Sequence, residues 1–151
     1  MASTLRERVR ASIVERAPID HAERECIAAF LRHYDELADP FDQTADPVHV
    51  TGSAIVTGPR GVVLLRHKRL GLWLQPGGHL DPGETPWAGA LREAREETGL
   101  DVALASSGSD SVPQLVHVDV HAGGRGHTHP DLRYLVDGGD ADPAPPQDES
   151  Q

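Results

Sequence analysis

A single cysteine, Cys26, stands among 151 residues, so no internal disulfide can brace the fold and a reducing, cytoplasmic setting is expected. No apolar run approaches the roughly 20 residues that a membrane span requires. The opening MASTLRERVRASIVERAP is charged throughout and holds no apolar stretch of the kind a signal peptide needs. Basic charge is also short. Against 24 Asp and Glu there are 14 Lys and Arg, and the net charge of −10 argues against general binding to nucleic acid or to an anionic membrane. No internal repeat is present. What remains suits one globular domain: 38% apolar residues and 15 glycines, close to the roughly 45–50% share typical of folded chains. Cys26 itself is expected as a small buried residue on a helix.

Residues 4–16 and 20–37 read as helices. Thr4 with Glu7, and Asp20 with Glu23, each set a capping side chain three residues before a carboxylate. Ala22, Cys26, Phe30, Tyr34 and Leu37 recur near the helical period as an expected core stripe. ADPFDQTADP, residues 38–47, reads as a linker. From Val48 the texture turns β-branched: VHVTGSAIVT, the turn GPRG at 58–61 and VVLLR predict a hairpin. LVHVDVHA at 115–122 and HPDLRYLVD at 129–137 predict a second pair of strands. The expected organisation is a helical extension and linker over 1–47, a mixed α/β (α+β) domain over 48–137, and an acidic, Pro-rich tail or loop over 138–151, expected to be disordered.

Residues 76–100, PGGHLDPGETPWAGALREAREETGL, carry the chemistry. Thr85 suits an N-cap, Pro86 the first helical position and Gly99 the left-handed residue past the end, so a helix is predicted over about 86–98. At 100° per residue, Trp87, Ala90, Leu91 and Ala94 share one side, while Glu93, Glu96 and Glu97 share the other. Like charges at these spacings destabilise a helix by about 0.2–0.5 kcal/mol per pair. Arg92 relieves part of that repulsion. A solvated charged face is one reading; the other is a set of hard oxygen ligands for Mg²⁺ or Mn²⁺. Gly77 and Gly78 add backbone that can approach a metal or phosphate closely, with a carbonyl able to join the coordination.

The stretch Gly78 to Leu100 resembles the signature of the Nudix hydrolases, G-x5-E-x7-R-E-U-x-E-E-x-G-U with U apolar. Gly78, Glu84, Arg92, Glu93, Ala94, Glu96, Glu97, Gly99 and Leu100 fill every specified position. WLQPGG, residues 73–78, also looks like the family's approach to this box. The resemblance covers residues 48–137. It implies a Nudix-like sandwich, a mixed sheet flanked by helices, with the first 47 residues a helical extension that covers the sheet, helps form a homodimer or shapes the pocket. The activity it implies is hydrolysis of the pyrophosphate bond in a nucleoside diphosphate linked to another group, with Mg²⁺ or Mn²⁺ as cofactor. The catalytic set carried over is Glu84, Arg92, Glu93, Glu96 and Glu97. Glu93, Glu96 and Glu97 are the metal ligands, with Glu97 the foremost and the carbonyl of Gly77 assisting. Arg92 is assigned to orienting the carboxylates through its guanidinium fork, and Glu84 to bracing the loop or binding through water. Members of the family usually close with a further strand and helix that supply another carboxylate. Asp148 and Glu149 are the candidates left, so residues 1–151 are expected to lack or only partly include that closing unit.

Other groups are less sharply defined. Arg66, Lys68 and Arg69 form the one dense basic cluster, either an exposed hairpin end or a clamp on substrate phosphates. His117, Asp119 and His121 alternate on one strand and His127, His129, Asp131 and Arg133 on the next. Each set can be a solvated face, a transition-metal site or a pocket wall, and Asp131 and Arg133 are taken as substrate contacts. Trp73, Trp87 and Tyr134 can stack on a base, although Trp87 lies on the apolar helix face. Two further functions stay open: a non-catalytic nucleotide sensor on the same scaffold, which has no need of every glutamate, and an RNA 5′-end pyrophosphohydrolase, which the net charge disfavours.

Overall fold

The computed structural model describes residues 4–42, 48–66, 71–104, 113–122 and 127–143. Two helices come first, α1 (Leu5–Val14) and α2 (His21–Glu36). Thr4 and Glu7 form the full capping box of α1, each side chain meeting the other's backbone N–H. Asp20 caps α2 by accepting the N–H of Glu23, but the Glu23 side chain does not return the bond. Arg6 ties the two helices, donating to the carbonyl of Tyr34 at 2.7 Å, while the Tyr34 hydroxyl donates to the carbonyl of Arg6 at 2.8 Å.

The stripe on α2 differs from the expected one at its first member. Phe30, Tyr34 and Leu37 are buried, whereas Ala22 is exposed and its neighbour Glu23 is buried in its place. The cause is tertiary. The Glu23 carboxylate receives the Arg16 guanidinium and the N–H groups of Ile19 and Val118, and a carboxylate with four donors outweighs a methyl group at that position.

The predicted hairpin is present as β1 (Thr51–Gly58) and β2 (Gly61–Val63), joined where Gly58 faces Gly61. The second arm is shorter than expected. After Val63 the chain leaves β1, and β3 (Leu65–Arg66) pairs instead with β4 (Trp73–Leu74) as a separate two-stranded ribbon. The glycine segment read as a loop forms a short strand, β5 (Gly77–His79), antiparallel to β1. A Cβ on Gly77 would stand 2.3 Å from Ser53 Oγ, so only glycine lets this strand lie so close to β1.

Helix α3 (Pro86–Thr98) follows, then β6 (Ala103–Leu104), β7 (Leu115–Ala122) and β8 (Thr128–Asp137). β1 and β8 run parallel at the centre of a six-stranded mixed sheet, with β2 and β5 along the outer edge of β1 and β6 and β7 antiparallel to β8. The mixed sheet with packed helices is the expected fold.

Alternation assigns the two faces of the sheet. Val50, Ala54 and Val56 of the β1 segment join Leu132, Tyr134 and Val136 of β8, Val118 of β7 and Ala90 and Ala94 of α3 in one core. Val9, Ile13, Phe30 and Tyr34 from the N-terminal helices complete it. Helices α1 and α2 therefore pack into the same interior as the sheet. Gly52 lies under α3, where a Cβ would sit 2.2 Å from the Pro86 carbonyl oxygen, so the helix rests directly on strand backbone. The opposite face carries Thr51, Ser53, Asp131 and Arg133, which are joined by hydrogen bonds. Residues 144–151, with Asp148 and Glu149, lie outside the described residues, and 138–143 add no strand. No described helix is long and apolar enough to cross a membrane.

Candidate active site

Helix α3 is bounded as its sequence dictates. The Thr85 hydroxyl accepts the N–H of Ala88 at 3.1 Å, Pro86 occupies the first turn, and Gly99 closes the helix at φ 71°. Gly89, Ala90, Ala94 and Thr98 turn inward, which directs Glu93, Glu96 and Glu97 away from the core. Glu93 lies against β5, where a Cβ on Gly78 would come within 3.2 Å of its Oε1. Its side chain is 19% exposed; that of Glu96 is 56% exposed. Glu97 is half-buried one turn beyond Glu93.

Arg92 joins these carboxylates. Its Nε and Nη2 donate to the two oxygens of Glu84 at 2.8 and 3.1 Å, and Nη1 donates to Glu93 at 2.9 Å and Glu96 at 3.4 Å. Nη2 also reaches the carbonyl of His79 at 3.1 Å, and Asp81 stands 3.1 Å from Nε. The Glu84 bonds raise the Arg92 pKa most, and Arg92 in turn lowers that of Glu84. Glu84 further accepts the N–H of Asp81 at 2.8 Å. Its two oxygens are thus spent on holding the 81–84 turn against Arg92. Beside Glu84 a cleft of about 430 Å³ opens, lined in part by Leu80, Pro82 and Gly83 and, from the N-terminal segment, Leu5 and Phe41.

A donor set of carboxylates on one helix face, next to strand backbone that carries no Cβ at Gly78, matches what a hard divalent cation takes.

A second polar group occupies the sheet face opposite α3. Asp131 is 1% exposed and accepts the hydroxyls of Thr51 at 2.8 Å and Ser53 at 2.9 Å, with Arg133 Nε at 3.2 Å. Arg133 also donates to Asp119 at 3.1 Å. The bond from His121 does most to hold the Asp119 carboxyl down at about 2, and that same bond raises the His121 pKa. Cys26 reaches Asp119 with its thiol at 3.6 Å, half-buried on α2, and burial pushes its pKa up.

At the end of this face nearest β5 the rings of His49, His79 and His129 gather, with His127 and His121 beside them. His49 Nε2 and His79 Nδ1 are 2.9 Å apart. Burial, reinforced by the neighbouring imidazoles, lowers His129 to about 4. The sequence reading placed His129 on this face but passed over His49 and His79. His49 lies in a β-branched run and His79 in a glycine segment, and only the pairing of β5 and β8 with β1 brings them together. The usable signal was the repeated histidine ahead of two strands.

The remaining candidates are dispersed. Arg66 sits exposed on β3, paired across the ribbon with Trp73. Lys68 and Arg69 lie outside the described residues. Trp73 is 61% exposed, but Tyr134 is fully buried, its ring 6.1 Å from that of Trp87. Tyr134 is therefore a core residue with no face for a base.

The sequence profile described as the NUDIX domain matches residues 47–150. The chain belongs to the Nudix family. The match starts one residue before Val48 and runs beyond Asp137 into the acidic tail. A Bacillus subtilis (strain 168) protein named "Putative 8-oxo-dGTP diphosphatase" is 44% identical over 45 residues, 30% of each chain. An RNA pyrophosphohydrolase of Erythrobacter litoralis (strain HTCC2594) is 53% identical over 38 residues, 25% of this chain and 23% of that protein. The chain thus matches less than a third of either relative's length. Among solved structures, a NUDIX-family hydrolase from Clostridium perfringens superimposes with a TM-score of 0.60 at 28% identity, over 68% of this chain and 77% of that one.

Proposed function

We propose that the protein is a divalent-metal-dependent hydrolase that cleaves the pyrophosphate bond of a nucleoside diphosphate linked to another group, with a small nucleotide as substrate. The observation that carries this reading is Arg92 threaded among Glu84, Glu93 and Glu96 on the helix that bears the complete signature. Glu93, Glu96 and Glu97, assisted by the Gly77 carbonyl, hold Mg²⁺ or Mn²⁺. When bound, such an ion neutralises phosphate charge and makes water a better nucleophile near neutral pH. The chain's own part is to fix the ligands. Arg92 holds Glu93 and Glu96 by charge-assisted bonds, and Glu84 holds Arg92 and the turn before the helix. Arg66, Lys68 and Arg69 meet substrate phosphates; Asp131 and Arg133, the other expected substrate contacts, lie on the sheet face opposite α3, where they are bonded to each other. We place the enzyme in the cytoplasm, on its single cysteine.

The test is product release from a panel of nucleoside diphosphate derivatives with Mg²⁺ or Mn²⁺, comparing the native protein with Glu97→Gln. Loss of a ligand that acts in the transition state costs several kcal/mol, so kcat is expected to fall at least about a hundredfold with the fold intact. Turnover unchanged in Glu97→Gln removes the metal helix from the mechanism; no turnover on any substrate favours the sensor.

A second reading, RNA 5′-end pyrophosphohydrolysis, draws on the name of the Erythrobacter relative. It requires RNA affinity that weakens steeply with salt, which a chain of net charge −10 is expected to lack.

A further inference from the structure

We propose that His49, His79 and His129 form a site for a divalent transition-metal ion such as Zn²⁺, separate from the glutamates of α3. The three come from three different chain segments. His49 leads into β1, His79 ends β5 and His129 opens β8, and one ring nitrogen of each lies within 4.8 Å of the others. His49 is fully buried, and the Nε2 of His129 is buried with no hydrogen-bond partner among the described residues. Burying an imidazole nitrogen without a partner is costly, and an ion supplies the missing one.

The chemistry of the donors separates the two sites. Imidazoles suit zinc, copper, nickel and iron, whereas carboxylates, carbonyls and water suit magnesium and manganese. Nitrogens about 2.0–2.1 Å from a tetrahedral zinc ion stand about 3.4 Å from one another. The 2.9 Å pair, His49 and His79, needs to open slightly, and no pair needs to close by more than about 1.4 Å, both within reach of ring rotation. The ring that donates the His49–His79 bond then carries its proton on the other nitrogen, so both facing nitrogens offer lone pairs. Three histidines leave the fourth tetrahedral position for water or for a ligand oxygen. The His127 ring, its centroid 5.5 Å from that of His49, stands next to the trio.

This inference does not rest on the proposed hydrolysis, because its readout is metal uptake. The full chain, purified without a polyhistidine tag, is titrated calorimetrically with Zn²⁺ in millimolar Mg²⁺, and Co²⁺ is followed by its visible absorption. One equivalent of Zn²⁺ per chain is expected, unaffected by Glu97→Gln. Both His49→Ala and His129→Gln are expected to weaken it by more than the about 10–100-fold that loss of an outer partner costs. Should His49→Ala fail to fold, the half-buried His129→Gln and the cobalt spectrum of the native protein still decide. Absence of Zn²⁺ uptake overturns the proposal, as does uptake that survives His129→Gln or is lost in Glu97→Gln alone.

Discussion

Arg92 faces Asp81, Glu84, Glu93 and Glu96 within 3.4 Å, one cation among four carboxylates. The planar fork makes this possible, since each edge meets a different partner; a lysine ammonium is a single compact charge. Arg92→Lys is therefore expected to keep the net charge and lose the geometry. Its kcat should fall with little change in KM, and the melting temperature should drop by several degrees. A variant with native kcat would show that the carboxylates hold their places without the fork. The helix ends and the carboxylate face were legible because their causes are local: Thr85, Pro86 and Gly99 each act on backbone within four residues. Buried Asp131 was not, because the hydroxyls of Thr51 and Ser53 that satisfy it lie 80 and 78 residues away.

Among the elements, α2 and β7 are joined by a charge in an unusual place. The Glu23 carboxylate accepts the N–H of Val118 from β7 at 2.9 Å while paired with Arg16, whose side chain is 17% exposed. A strand edge ordinarily open to another chain is thereby capped by a side chain. Burial alone would raise the Glu23 pKa, but Arg16 and the N–H groups of Ile19 and Val118 outweigh it and hold the carboxyl at about 2, below the ordinary 4.5. A depressed acid stabilises the fold above its unfolded pKa and loses that contribution as pH falls through the folded value. The urea midpoint is thus expected to fall between pH 4.5 and 2, by stability on the order of 2–3 kcal/mol. Glu23→Gln leaves Arg16 without its counter-charge and is expected to cost about 3–5 kcal/mol at pH 7. Its urea midpoint should depend less on pH across that window; an unaltered profile would assign the acid sensitivity elsewhere. Helical periodicity favoured Ala22 over Glu23 because a pattern of apolar residues has no means of marking a buried charge, here paired with Arg16 and bonded by the N–H of Val118, 95 residues on.

At the scale of the whole molecule, the family match starts at residue 47, yet Val9, Ile13, Phe30 and Tyr34 are fully buried in the same core as β1 and β8. Deleting residues 1–38 removes all four and uncovers the apolar side of the sheet. The truncated chain is expected to aggregate, or to keep far-UV circular dichroism while binding a hydrophobic dye and losing its cooperative melt. A sharp thermal transition near that of the full chain would mean the 48–137 unit is self-sufficient.

The parallel pairing at the centre of the sheet also bears on how the chain reaches its fold. Thr51 lies beside Asp131, and the ladder continues to Thr57 beside Asp137, so the two middle strands meet across a separation of 80 residues. Closing so large a loop is slow, because its entropy is lost before any contact repays it. On a ribosome, β1 emerges long before its central neighbour exists, carrying Val50, Ala54 and Val56 exposed. The β1–β2 hairpin and the Gly77–His79 strand can occupy one edge of β1 at once; the other edge waits for β8. The central pairing thus waits until β8 has been made, and the nascent β1 edge is where a chaperone would be most needed.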